Sequence, residues 1–414
     1  MSNVLTYLIT ARRCEVEELQ RLSRTCQMVL TVGQLIHCLQ QERGLSNIYL
    51  GSGGQRDAAA RQARVANSQA AAAEFQDWLQ SIEQDNALSN GARLYTRIAF
   101  ALHALEGLPQ LREEISALRC SPTESYERFK TVVGALLALV FEAADVAVDA
   151  QISRLLVALF NLMQGKEFAG RERAAGAAAF ASGKITREQE QSIEYQIEMQ
   201  EQALRRFESF AEDVRAPWQA LQAGLPLAEL ERLRRKLLTS HERGLDAEMA
   251  EAWYQCCSAR IDGLHQIEIH LAQFVQARCQ AKITELQQEL DDQDQLFSQQ
   301  DRLDPLTPLA GFSASLDEQA LADGVGSHLA HSIVDMLRSQ SDRLQNLTAE
   351  LATVRDSLEE RKLIERAKGV LMMKQGLNEE AAYRLLRKHA MNQNRRIAEV
   401  AQAILSLTEI LPEA

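Results

Sequence analysis

Two short stretches of the 414-residue chain set arginine beside glycine within sequence that otherwise reads as long helix: Gln40-Gln41-Glu42-Arg43-Gly44-Leu45-Ser46 and Lys166-Glu167-Phe168-Ala169-Gly170-Arg171-Glu172-Arg173-Ala174. On a helix, Gln40, Arg43, Gly44 and Asn47 share one face, as do Lys166, Gly170 and Arg173. Glycine in a helix interior costs about 1 kcal/mol against alanine, so its pairing with arginine on two helices points to close backbone approach around a small ligand. A guanidinium is a planar fork that matches a planar oxyanion bidentately, and two of them would offset its desolvation inside an apolar bundle. Arg171 points nearly opposite Arg173, so the spacing favours Arg173 as the second pocket arginine, with Arg171 kept as the alternative. The bland reading is that Glu42/Arg43 and Glu172/Arg173 are ordinary salt bridges. Glu242-Arg243-Gly244-Leu245 repeats the first pattern, by chance or as a third pocket wall.

A second cluster lies at the end of the chain. From residue 361 to 414 there are ten Lys/Arg against six Asp/Glu, net +4, whereas the first 360 residues carry net -16 within a total of -12. Three short helices can be drawn: one running through Lys374, one opening at the N-cap Asn378 and ending near Met391, and one from about Arg396 to Leu407. Their core would be Ala367, Val370, Leu371, Leu377, Ala381, Leu385, Leu386, Ile397, Val400, Ala401 and Ile404. That leaves Arg366, Lys368, Tyr383, Arg384, Arg387, Lys388, Arg395 and Arg396 outside. Arg366 and Lys368 flank the small residues Ala367 and Gly369, which let a phosphate backbone approach, and Tyr383 offers a face for an unpaired base.

Other chemistry has no foothold. The seven cysteines form no C-x-x-C pair, no histidine follows a glutamate at the Glu-x-x-His spacing, and no phosphate-loop or nucleophile-elbow motif occurs. The expectation is therefore no catalytic residues, no metal site, no cofactor and no enzyme, with reduced, mostly buried thiols. No apolar run reaches a membrane span and the start lacks a signal core, so a cytoplasmic protein without a membrane partner is expected.

The elements that must position these residues are helices. Only 5% of residues are aromatic and only 7 are Pro, a composition with little for strands, and an all-α fold follows. Breaks at Gly51-Ser52-Gly53-Gly54, Pro109, Ser121-Pro122, Ser182-Gly183-Lys184 and Gly224-Leu225-Pro226 leave segments suited to one or two four-helix bundles over residues 1–302. The Pro, Gly, Ser and Asp of 303–327 read as a linker. In 328–360, Ile333, Gln340, Leu347 and Val354 alternate with Leu337, Leu344, Leu351 and Leu358 in a heptad seam, which predicts a coiled-coil homodimer; the alternative is an amphipathic helix on its own bundle. Residues 361–414 form the three-helix module.

Glu365-Arg366-Ala367-Lys368-Gly369-Val370-Leu371-Met372, followed by Gly376-Leu377-Asn378-Glu379-Glu380-Ala381-Ala382-Tyr383-Arg384-Leu385-Leu386-Arg387, resembles the ANTAR domain of bacterial transcription antiterminators. The resemblance implies binding of nascent leader RNA carrying two stem-loops, and carries Arg366, Lys368, Gly369, Tyr383, Arg384 and Arg387 over as RNA-site candidates. The two Arg-Gly patterns, with the Gly-Ser-Gly-Gly loop, resemble the NIT domain, a nitrate- and nitrite-sensing module. That implies nitrate or nitrite as effector, held by Arg43, Gly44, Gly170, Arg171 and Arg173. Together they imply a one-component switch for a nitrate-assimilation operon, in which the effector frees or reorients a dimeric RNA-binding module. The competing class is a ligand-responsive DNA-binding regulator, but the helix from Arg396 is poor in side chains that read base edges beyond its start.

Overall fold

The computed structural model describes residues 2–85, 91–145, 147, 149–239, 244–246, 248–300, 351–352 and 354–410. Among these the chain is helical with no strand, as the composition predicts. Helix α1 (Ser2–Gly51) turns into α2 (Ala58–Asp85) through Gly53 and Gly54, whose φ of 62° and 83° lie where a Cβ is disfavoured. Next come α3 (Gly91–Glu106), α4 (Leu108–Ser116) with Pro109 in its first turn, and α5 (Pro122–Asp145). Helix α6 (Ala150–Ser182) starts where the Asp149 carboxylate accepts from the Ile152 N–H at 2.9 Å, and stops at Gly183 with φ 66°. A reciprocal Thr186/Gln189 capping box opens α7 (Arg187–Phe210). Helices α8 (Arg215–Gly224), α9 (Leu227–Thr239) and α10 (Met249–Gln300) follow.

Two groups of helices result. Helices α1 and α5 pack together, with α2 on α1 and α3 on α5; α6 packs between α7 and α10, with α9 against all three. The long helices α1 and α10 run against each other and join the groups, so one continuous core contains Leu35, Phe75, Leu136, Phe160 and Leu264. A second core surrounds Trp253, which fits only because residue 176 is glycine: a Cβ there would lie 2.3 Å from the indole. No disulfide joins any of the seven cysteines, and all but Cys14 are buried. No described helix is long and apolar enough to cross a membrane.

The linker 303–327 and the heptad positions from Ile333 to Leu347 lie outside the described residues, as do Glu242 and Arg243. The end of the seam is described. Val354 and Leu358 are buried in the main core of the N-terminal bundles, so these two seam residues pack within their own chain, against the expectation of a dimer face at that point. The helix that carries them, α11 (354–375), continues into the terminal module with α12 (Glu379–Gln393) and α13 (Ile397–Ile410). Asn378 caps α12 as its sequence predicts, its side chain accepting from the Ala381 N–H at 2.8 Å. The helix outlasts the expected stop at Met391 because Asn394 takes a left-handed cap, φ 50°. The module's core forms around Ala367, Leu371, Leu386, Val400 and Ala401.

Candidate functional site

The two Arg-Gly patterns meet where α1 and α6 touch. A Cβ on Gly44 would lie 3.3 Å from Nη2 of Arg173, and a Cβ on Gly170 would lie 3.2 Å from Nη2 of Arg43. Each helix thus presents a glycine to the other's guanidinium, which is the close approach that the sequence spacing implied. Neither adjacent salt bridge of the bland reading forms. Glu42 instead binds Arg112 of α4, Nε to Oε1 2.8 Å, and Ser68 of α2; Glu172 binds Arg234 of α9 through two bonds of 2.6 and 2.7 Å. Sequence neighbours on a helix face different directions, so each acid found a partner on another helix.

Arg43, 3% exposed, has its fork filled from within the protein. Its Nη1 and Nη2 donate to Oε1 and Oε2 of Glu167 at 2.7 and 3.0 Å. Gln40 donates to Oε2 at 2.9 Å and Arg171 Nε donates to Oε1 at 2.8 Å. Tyr126 of α5 lies under the Arg43 guanidinium, 5.3 Å from its ring centroid. Burial alone would raise the Glu167 carboxyl, but Arg43 and Arg171 outweigh it and hold it down to about 2. Burial likewise pushes the Tyr126 hydroxyl up to about 12, despite the pull of Arg43. Arg173 donates to Ser258 of α10 at 2.9 Å and stacks over Tyr254 at 4.9 Å. The expectation that Arg171 faces away is corrected: it turns back along one helical turn to share Glu167 with Arg43, while Arg173 reaches Gly44. Lys166 is fully buried and paired with Glu268 of α10, beside the stacked imidazoles of His37 and His265.

The basic candidates of the terminal module divide into two sets. Arg366 and Gly369 are exposed on α11. Lys368 is not outside as expected: it is 3% exposed and pairs with Glu365 and Glu379, which draw its ammonium back onto the module. Tyr383 is also buried, covered by α7, with its hydroxyl paired to the Gln202 side chain. Arg384 donates to Gln191 and Arg387 to Glu198, while Ser192 donates to Glu380 at 2.8 Å. Lys362 adds a bond of 2.7 Å to Asp145 of α5.

Sequence reading missed this α7 surface. Gln191, Tyr195, Glu198 and Gln202 form one stripe, while Gln196, Gln200, Ala203 and Phe207 form the stripe buried in the bundle. A tyrosine and an acid on the outer face were the available signal. Phe168, next to Glu167, meets Tyr195 edge-on with ring centroids 6.2 Å apart, and Tyr195 meets Tyr383 edge-on at 5.6 Å; Arg171 stacks over Phe168 at 5.1 Å. Contacts therefore run without a gap from the Arg43 fork to the module.

A family model described as nitrate and nitrite sensing (NIT) matches residues 34–276, and the ANTAR domain model matches residues 352–405. The chain is 33% identical over 404 residues to the nitrate regulatory protein of Klebsiella oxytoca, covering 98% of this chain and 95% of that one. It belongs to the NIT–ANTAR family of nitrate regulatory proteins. The solved structure of the NasR transcription antiterminator superposes with a TM-score of 0.61 at 30% identity, covering 99% of this chain and all of that one. Over 113 residues, 25% of this chain, it is also 34% identical to the transcriptional regulatory protein PdtaR of Mycobacterium tuberculosis. In this NIT–ANTAR regulator the α1–α6 crossing lies within the sensing match, and the face covered by α7 lies within the ANTAR match.

Proposed function

We propose that this chain is a one-component transcription antiterminator that binds nitrate or nitrite at the α1–α6 crossing and, in response, presents its terminal module to a two-stem-loop leader RNA. The observation that carries this reading is the reciprocal placement of Arg43 over Gly170 and Arg173 over Gly44. Glu167 holds the Arg43 fork as a planar carboxylate, the same shape and charge as nitrite. The effector takes over that fork, and Glu167, released from Arg43, reorients Arg171 and the Phe168 ring beneath it. Tyr195 then loses its fit to Tyr383, and the module leaves α7.

In the docked arrangement Tyr383, Arg384 and Arg387 are occupied by the sensor and withheld from RNA. A few kcal/mol of differential effector binding changes the free fraction of the module substantially. The reading includes a homodimer, in which two modules meet the two stem-loops. The test is a gel shift of the full chain with leader RNA, single-stranded RNA and duplex DNA, with and without nitrate. Nitrate-dependent retention of the leader RNA alone is expected, and equal retention of duplex DNA overturns the reading in favour of a DNA-binding regulator.

A further inference from the structure

Between α7 and the terminal module the protein leaves a cavity of about 320 Å³, lined among others by Arg206, Glu360, Arg361, Glu365, Tyr383 and Arg396. Both of these carboxylates are already engaged. Glu360 accepts from Arg396 at 3.5 Å, and Glu365 accepts from Lys368 at 3.0 Å. Among the described residues, neither Arg206 nor Arg361 has a carboxylate within ion-pair distance. Arg361 is held instead over the ring of Phe160, 4.7 Å from its centroid. Burial lowers its proton affinity, Glu365 restores part of it and Arg206 lowers it again, down to about 10, so it stays charged at neutral pH beside a second cation. Two like charges facing one cavity are relieved by an anion.

We propose that this cavity binds a small phosphate-bearing anion that bridges Arg206 of the sensor to Arg361 of the module. The space far exceeds a nitrate, and two guanidiniums on different helices suit a tetrahedral dianion, whose oxygens point in several directions, better than a planar monoanion. Since one arginine belongs to each half of the protein, the bound anion fastens the module to α7 and opposes nitrate. This opposing role, unlike the site itself, rests on the docked arrangement being the resting state.

The test is calorimetry of the full chain with pyrophosphate in phosphate-free buffer, paired with leader-RNA binding. One saturable site per chain is expected, weakened at least tenfold in Arg206→Gln and in Arg361→Gln and unchanged in Arg173→Ala, which leaves the Arg43–Glu167 pair in place. Because Arg361 also packs on Phe160, Arg206→Gln is the deciding variant. Pyrophosphate should lower the RNA affinity of the nitrate-free protein, and should do so less in Arg206→Gln. Absence of saturable binding, binding indifferent to both substitutions, or binding lost with Arg173→Ala overturns the site. Binding that maps to Arg206 and leaves RNA affinity untouched overturns the opposing role, without touching the nitrate reading.

Discussion

Tyr195 of the sensor and Tyr383 of the terminal module stand edge-on with ring centroids 5.6 Å apart, and Tyr195 is the ring that Phe168 also meets. An aromatic pair of this kind is worth about 0.5–1.5 kcal/mol beyond its buried area. Tyr195→Leu should therefore raise the RNA affinity of nitrate-free protein by roughly two- to tenfold, toward that of the nitrate-bound wild type. Gel shifts without nitrate check this. No change would mean that the rings touch without coupling the halves.

Arg173→Ala should abolish nitrate binding in calorimetry while the fold persists, since the side chain donates to the partly exposed Ser258 hydroxyl and stacks on Tyr254, and the Trp253 bond to the Arg173 backbone oxygen is kept. Arg43→Ala should abolish it too, but at a cost of about 3–5 kcal/mol in stability, because Glu167 loses its bidentate partner. Unaltered nitrate affinity in Arg173→Ala would remove it from the site.

Glu167→Gln keeps the shape and removes the charge that competes for Arg43. Nitrate should bind more tightly to this variant, measured by calorimetry at pH 7. The same carboxyl is held down to about 2 in the folded chain, so its stabilising contribution is complete above its unfolded value near 4.3 and is lost as pH falls from there toward 2. Acid unfolding of Glu167→Gln should show a shallower limb across that window.

His37 is buried against His265 and Lys166, and burial is the largest of the effects that take it down to about 3. Its folded form stays neutral while the unfolded chain takes up a proton below about 6.5, so stability falls with falling pH. The loss between pH 7 and pH 5 is on the order of 2 kcal/mol. Thermal melts of His37→Gln should shift less with pH over that range than those of the wild type.

On the module, Arg366→Ala should lower the salt slope of RNA binding by about one without altering nitrate control, since Arg366 is exposed. Arg387→Ala removes the bond to Glu198 and should weaken both docking and RNA binding. Slopes from titrations at several salt concentrations separate the two effects.

The helical architecture, its breaks and the Asn378 cap were legible because glycine, proline and capping residues act locally. The Arg43/Gly170 and Arg173/Gly44 contacts were legible in kind, since interior glycines have few other uses. What escaped was set by partners distant in sequence. Nothing local says that Glu172 chooses Arg234 over Arg173, that Arg171 folds back onto Glu167, or that Lys368 turns inward to Glu365 and Glu379. Tyr383 looked free because the partners that meet its ring and hydroxyl, Tyr195 and Gln202 on α7, lie far away in sequence. Val354 and Leu358 satisfy a heptad and a bundle equally well, and the period alone does not choose between them.

The polar contacts along α7 are few, and Arg384 and Arg387 make theirs at the exposed rim, where such bonds contribute little each. On the proposed reading, a module held so lightly should come off on its own from time to time. Basal read-through should therefore be measurable in cells without nitrate, and should rise with salt or temperature before the sensor unfolds. In the proposed switch the same looseness predicts a quick reset: after nitrate is removed, re-docking should need no large rearrangement, and RNA binding should fall without any new protein being made.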